Sequence, residues 1–289
     1  MSEIKKSELI LNPDGSVYHL ALLPQDIADT VIVVGDPDRV KEVSNYFDSI
    51  ELTKRKREFI TVTGKIGNKR LSVISTGIGP DNIDIVINEL DALVNIDLNN
   101  REPKSVITAL NILRFGTSGS LQAEIPVNSH VVSERAIGID NLMHYYAFNK
   151  DLTNKLITES VRQKLDMNIE PYTFESSKEL LGKFSGEGFT KGWTVTSPGF
   201  YAPQGRVLRL ALQNPKFIEK LMDYNYNGKK ITNFEMETSA IYGLGTLLGH
   251  KCLSINTIVA NRANGTFSED PYKAVNDMIV KCLEVLIKI

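Results

Sequence analysis

Short runs of apolar, β-branched residues alternate along this chain with longer stretches in which apolar positions recur every three to four residues. This is the pattern of strands alternating with helices. Val31 to Val40, VIVVGDPDRV, reads as a buried strand that breaks at Gly35 and gives way to a helix beginning near Asp36 to Asp38. Phe59 to Ile74 divides into two alternating runs about Gly67-Asn68, a hairpin signal, and the KRKREF run just before it reads as a solvated turn. Ile83, Val86, Ile87, Leu90, Leu93 and Val94 share one helical face and predict an amphipathic helix covering a sheet. Further strands are predicted at His130 to Ile137, Trp193 to Thr196 and Cys252 to Ala260. Further helices are predicted at Lys150 to Leu165 and Pro271 to Ile289, the last with Val275, Ile279, Cys282 and Leu286 inward. Asp166 to Gly192 is polar, carries four glycines and has little period, so it reads as an insertion or flap. Because the alternation resumes after it, residues 1–289 are expected to form one α/β domain with helices on both faces of a sheet.

Composition narrows the partners more than the fold. The 289 residues are 42% hydrophobic and 24% charged, enough for a substantial core, and the net charge of −2 provides no basic field for nucleic acid. The N-terminus lacks the apolar core of a signal peptide, and no apolar run approaches the roughly 18 residues of a membrane span. A cytoplasmic protein with no membrane partner is expected. Cys252 and Cys282 lie far apart within apolar segments and read as buried free thiols. There is no HExxH and no CxxC, so no metal site is expected.

Candidate chemistry gathers in four places. RFGTSGSL, Arg114 to Leu121, follows the apolar run Val106 to Leu113 and packs an arginine, glycines and hydroxyls together, as a loop cradling an anion would. By itself it fits a plain Gly/Ser turn equally well. Gly35 followed by a helix carrying Arg39 in its first turn is a common phosphate seat, though also an ordinary strand-to-helix turn. SPGFYAPQGR, Ser197 to Arg206, sets Phe200 and Tyr201 beside Gln204 and Arg206, residue types that stack on a base and hydrogen-bond its edge; the same composition also makes a plain Pro/Gly loop. Finally, Ala240, Ile241, Leu244, Leu247 and Leu248 define an apolar helical stripe. Glu237 falls on that stripe, while Glu235 points about 160° away from it. A carboxylate on a buried stripe needs a partner: a vicinal diol, or the backbone amides of a helix start.

Taken jointly, VYHL at Val17 to Leu20, GDPDRV at Gly35 to Val40, REF at Arg57 to Phe59, RFGTSGSL, FYAPQGR at Phe200 to Arg206 and NFEMETSA at Asn233 to Ala240 resemble the nucleoside phosphorylase family, and within it the uridine phosphorylases. The resemblance implies a central twisted mixed β-sheet flanked by helices, and dimers that associate into hexamers. It implies that Gly35, Arg39, Arg114 and Thr117 hold phosphate, and that Arg57 reaches the phosphate of a neighbouring subunit. His19 would be lent across the dimer to the ribose 5′-hydroxyl, Met236 and Glu237 would bind the ribose with Glu237 taking its 2′- and 3′-hydroxyls, and Ser118, Gly119, Phe200, Gln204 and Arg206 would form the base pocket. Purine-specific relatives are expected to carry an aspartate after the last strand to protonate the purine. Here that stretch reads Asn261-Arg262-Ala263-Asn264-Gly265, which directs the expectation to uridine, with Arg262 assisting near Arg206.

The expected reaction is phosphorolysis of uridine, with inorganic phosphate as co-substrate and no other cofactor. Some relatives hold a monovalent cation such as K+ between subunits near the equivalents of Glu58 and Ile78; the Pro80-Asp81-Asn82 turn departs from their pattern. Ser118 stands where threonine is common. The alternatives are a purine nucleoside phosphorylase or nucleosidase of the same fold, and a non-catalytic nucleoside-binding protein. No GxGxxG follows a strand, and GTSGS lacks the second glycine of GxSxG, so neither a dinucleotide oxidoreductase nor a hydrolase elbow is indicated.

Overall fold

The computed structural model describes residues 3–288. The strands are β1 (Thr30–Val34), β2 (Ser49–Lys56), β3 (Phe59–Ile66), β4 (Lys69–Ser75), β5 (Ile96–Asp97), β6 (Glu102–Pro103), β7 (Asn111–Ser120), β8 (His130–Gly138), β9 (Tyr172–Glu175), β10 (Thr190–Thr196), β11 (Asn225–Tyr226), β12 (Lys229–Glu235), β13 (Lys251–Asn261) and β14 (Thr266–Phe267). The helices are α1 (Pro37–Ser44), α2 (Pro80–Asn95), α3 (Leu152–Leu165), α4 (Lys178–Lys183), α5 (Phe217–Met222), α6 (Thr238–Leu248) and α7 (Pro271–Leu286). No helix among the described residues is long and apolar enough to cross a membrane.

The main sheet runs β11-β12-β10-β8-β13-β7-β1-β4-β3-β2 and mixes parallel with antiparallel pairs. Strand β12 also pairs with β7, Asn233 opposite Ser120 and Phe234 opposite Gly119, so β7, β13, β8, β10 and β12 close into a ring. Strand β1 is buried along its whole length, and its residues alternate between two cores. Val31 and Val33 pack with α2 and α6, whereas Ile32 and Val34 pack with α1 and α7. A third cluster, with Trp193, Val195 and Phe234, seats α3 and α5. This is one α/β domain with helices on both faces of a mixed sheet.

Four local expectations give way. RFGTSGSL is not a loop: Asn111–Ser120 is one ten-residue strand, and Val106 and Ile107, read as its lead-in, lie exposed before it. Its glycines and hydroxyls sit in a central strand because β13 pairs with it along its length, while β1 pairs with Asn111 to Arg114 and β12 with Gly119 and Ser120 on the other side, leaving Phe115 to Ser118 unpaired on that side. KRKR is likewise mostly strand, since β2 continues to Lys56 and only Arg57-Glu58 turn, Arg57 at φ +55°. The segment 166–192 is built into the fold: β9 pairs with β8, α4 follows, and Phe184 is fully buried beneath it. Helix α6 begins only at Thr238, so Glu235 ends a strand and Glu237 stands at the N-cap position, where the Glu235 carboxylate rather than its own takes the first amides; the helical angle between the two acids does not apply.

One buried base makes stability depend on pH. His130, at the start of β8, stands beside Phe189 and Thr257, with Asp277 and Lys281 of α7 facing it. Burial, and secondarily Lys281, push its imidazole down from 6.5 to about 4. The stability contributed by the neutral ring is therefore full above pH 6.5 and is lost as pH falls toward about 4, because the unfolded chain takes up the proton first. His130→Gln should flatten the stability profile across that window, read by urea unfolding at a series of pH values. A slope identical to that of the unsubstituted chain would exclude His130 as its source.

Candidate active site

Alternation along β7 points Ile112, Arg114 and Gly116 toward α2 and α6, and Leu113 and Phe115 toward the opposite core. The starts of both helices therefore converge on Arg114. Gly79, at φ +103° where only glycine sits without strain, precedes α2 and donates its N–H to Glu237 Oε1 at 2.8 Å. Glu237 precedes α6, and its Oε2 accepts from Arg114 Nη2 at 2.5 Å. Glu235 Oε2 lies 3.4 Å from the same nitrogen. Glu235 is itself anchored, accepting from Thr196 Oγ1 at 2.7 Å and from the N–H groups of Glu237 and Thr238 at 2.9 Å.

Burial opposes the charge on Arg114, but Glu237 and Glu235 outweigh it and hold the guanidinium above its ordinary value. Glu237 is pushed upward by burial; Arg114 pulls it back and the like charge of Glu235 adds to the rise. The guanidinium can lie across its own strand only because of Gly116. A β-carbon there would come 1.7 Å from Arg114 Nη1.

These groups open onto a cavity of about 700 Å³. At one end stand Gly35, Arg39 and Thr117. Arg39 Nη1 donates to the Phe115 carbonyl at 3.3 Å, while its buried Nε makes no hydrogen bond among the described residues and has Glu42 Oε2 only at 3.9 Å. Burial, then the neighbouring Arg114, lower its pKa. Two guanidiniums close enough to repel, one with an unused buried donor, favour an anion between them. The N-terminus of α1 is already capped, since Asp36 accepts from Asp38 N at 2.9 Å, so Arg39 rather than free helix amides gives this end its positive character.

Met236, Glu237, Ser118 and Gly119 line the middle, where Ser118 Oγ accepts from Asn233 Nδ2 at 3.0 Å. At the far end, Phe200, Gln204 and Arg206 face Phe234, Val259 and Phe267. The Arg206 guanidinium lies 3.7 Å over the Phe200 ring and donates to Gln204 Oε1 at 2.5 Å. Burial and the nearby Arg262 lower its pKa.

Four of the residues singled out in the sequence lie outside this cavity, Tyr201 among them, exposed with its ring perpendicular to that of Phe200 at 5.3 Å. Arg262 stands behind the base end, its Nη1 donating to the Gln204 carbonyl at 3.3 Å. His19 pairs through Nδ1 with Glu89 Oε1 at 2.6 Å, and Arg57 is exposed at the β2–β3 turn. Both meet the Tyr18 ring, His19 at 4.9 Å and Arg57 at 6.0 Å, and so share one surface. Glu58, Ile78 and Asn82 do line the cavity, Asn82 Nδ2 donating to Glu58 Oε1 at 3.5 Å. No group of three or more His, Cys, Asp or Glu side chains poised for a metal occurs among the described residues. Sequence reasoning missed Glu235 as a member of the site. Its signal was present in Glu235-Met236-Glu237, two acids at a strand-to-helix junction, but was read with a helical period although Glu235 still belongs to β12.

The fold and this convergence of arginines, acids and aromatic groups define a class. The chain belongs to the phosphorylase superfamily, whose sequence model matches residues 29–289. It is similar to a uridine phosphorylase of Thermococcus kodakarensis, 28% identical over 89% of this chain and 81% of that one. It is also similar to a DeoD-type purine nucleoside phosphorylase of Listeria monocytogenes, 26% identical over 93% and 99%. Among solved structures, a Trypanosoma brucei nucleoside phosphorylase described as showing uridine phosphorylase activity superposes with a TM-score of 0.88 at 31% identity, covering 97% of this chain and all of that one.

Gly116→Ala tests the seating of Arg114. It should lower kcat/KM for phosphate by about tenfold or more through displacement of the guanidinium. Gly182→Ala, where an added β-carbon meets nothing within 4 Å, should leave it unchanged. Steady-state kinetics of the two variants check this, and equal values would remove Gly116 from the site.

Proposed function

We propose that the chain catalyses reversible phosphorolysis of uridine, and of deoxyuridine, to uracil and the corresponding pentose 1-phosphate, a step of pyrimidine salvage. The observation that carries this reading is the base end of the cavity: Gln204 and Arg206 stand hydrogen-bonded together, and no acid accompanies them among the residues lining that end. A purine leaves most easily when an acid protonates it. Uracil leaves as an anion, its charge spread over N1, O2 and O4, and needs donors instead. Arg206 donates to O4. Gln204 accepts from N3–H through the second lone pair of Oε1 and donates to a carbonyl through Nε2. Both donor contacts strengthen as the leaving charge develops, which is where they accelerate the reaction.

At the other end, Arg39, Arg114, Gly35 and Thr117 hold phosphate beneath the sugar. A phosphate oxygen attacks C1′ as the C1′–N1 bond breaks and its electron pair passes to the base. Met236 packs against the ribose. Glu237 takes the 2′- and 3′-hydroxyls and lends negative charge as the sugar becomes cationic. Orientation of this kind is worth up to roughly 7 to 11 kcal/mol in ideal cases.

Arg57 and His19 serve the cavity of a second copy. Their common surface around Tyr18, outside their own cavity, supports a dimer in which each protomer completes the phosphate and ribose subsites of the other. Higher assembly to a hexamer follows the family pattern. Phosphate is the co-substrate, and the step draws on no further cofactor.

Base release from uridine, deoxyuridine, thymidine and inosine, with and without phosphate, tests the reading. Uracil should appear only with phosphate, and inosine should turn over more slowly than uridine. Arg206→Ala should lower kcat/KM for uridine by about a hundredfold, the scale of a buried charged hydrogen bond, with the KM for phosphate unchanged. Faster release from inosine would favour the purine reading, and release without phosphate would indicate a nucleosidase.

A further inference from the structure

Arg114 is held on its far side by a residue that belongs to no motif. Asn256 lies on β13 in register with Gly116, completely buried, on the sheet face that carries Arg114. Its Oδ1 accepts from Arg114 Nη1 at 2.5 Å. Its Nδ2 donates to Ser254 Oγ at 3.1 Å, and Ser254 Oγ in turn meets Thr238 Oγ1 at 2.8 Å in the first turn of α6. Those contacts orient the amide, because a flipped Asn256 would set a donor against the Nη1 donor.

We propose that Asn256 is a positioning residue for phosphorolysis, holding Arg114 aimed into the cavity while the sugar hydroxyls compete for Glu237. The inference rests on the reading of Arg114 as a phosphate ligand. Two separate holds act on the guanidinium: the carboxylates on Nη2 and the neutral amide on Nη1. When a ribose diol engages Glu237, the first hold weakens, and the remaining carboxylate contact is the 3.4 Å approach of Glu235. Asn256 keeps the second. A neutral acceptor is the suitable chemistry, since it satisfies a buried donor without cancelling charge that phosphate needs, whereas a third carboxylate would compete with the incoming anion. Gly116 completes the arrangement: its ideal β-carbon position falls 2.8 Å from Asn256 Oδ1 as well as 1.7 Å from Nη1, so a side chain there would part the two groups.

The test combines Asn256→Leu, similar in size but without an acceptor, with Arg114→Lys, which keeps charge but lacks Nη1. Inorganic phosphate binding by calorimetry and the KM values for phosphate and uridine are measured in the unsubstituted chain, both single variants and the double variant. Asn256→Leu should weaken phosphate binding and raise its KM by about tenfold, the effect of a hydrogen bond to a charged group, with the KM for uridine changed by less than about twofold. In the Arg114→Lys background the same substitution should change phosphate binding by less than about twofold, because the group it acts through is gone. Equal effects in both backgrounds, or no effect in the first, would overturn the proposal. If Arg114→Lys alone binds phosphate as tightly as the unsubstituted chain, the reading of Arg114 fails and takes the inference with it. Asn256→Ala serves in the same cycle if the leucine variant does not fold.

Discussion

A guanidinium buried between two carboxylates is the constraint around which this molecule is built. Arg114, Glu235 and Glu237 are each less than a tenth exposed, and no one of them is tolerable there alone. Arg114 needs both acids to stay charged in the interior, and the acids need Arg114 together with the amides of Gly79, Glu237 and Thr238. Those amides come from the starts of α2 and α6, so the electrostatics of one residue fix how two helices meet the sheet. Arg39 adds a second guanidinium beside this set, with Glu42 at 3.9 Å from its Nε. In the proposed dimer the exposed Arg57, beside Tyr18, is the cation brought to this set from a second copy.

Much of the scaffold was legible because buried strands and amphipathic helices leave periodic traces. The β3–β4 hairpin, the α2 stripe and the buried run of β1 were each readable from local pattern, and the structure places all three where that pattern predicts. Local pattern misled where tertiary pairing overrides composition. A stretch as rich in glycine and serine as Arg114 to Leu121 looks like a loop in isolation. It is a strand because β13 pairs with it throughout, with β1 and β12 joining at its two ends, and because small residues are what its surroundings admit. Gly116 makes room for a guanidinium, and Gly119 for the Phe234 ring, which approaches to 3.3 Å of where a β-carbon would sit.

The site was legible to a different depth at its two ends. Arg39, Arg114, Gln204 and Arg206 drew attention through charge and hydrogen-bonding capacity, and they line one cavity. Glu235 and Asn256 did not. An acid at the end of a strand is usually a surface residue, and an asparagine within an apolar strand reads as an irregularity. What makes each matter is a partner more than a hundred positions away in sequence, Arg114 in both cases. Spacing within one segment carries no trace of a contact between β7 and β13, and residues that act by holding another residue are the hardest to find from spacing alone.

Placing the central arginine on a strand rather than a loop has a physical consequence for the proposed reaction. Loop arginines reach an anion at the cost of ordering a long side chain when it binds. Arg114 is already ordered by Asn256, Glu237 and the surface of Gly116, on a strand paired on both sides, so that cost falls on folding instead. The base end is arranged differently. Phe200 and Arg206 belong to the turn after β10, and Arg206 stacks on Phe200 and bonds Gln204 within that same turn. In the proposed reading, an anion end fixed on the central sheet stands beside a base end braced mainly within one turn, with Arg262 behind it, so that turn can vary with little effect on the phosphate end. One superfamily can then contain both the purine and the uridine phosphorylases to which this chain is similar.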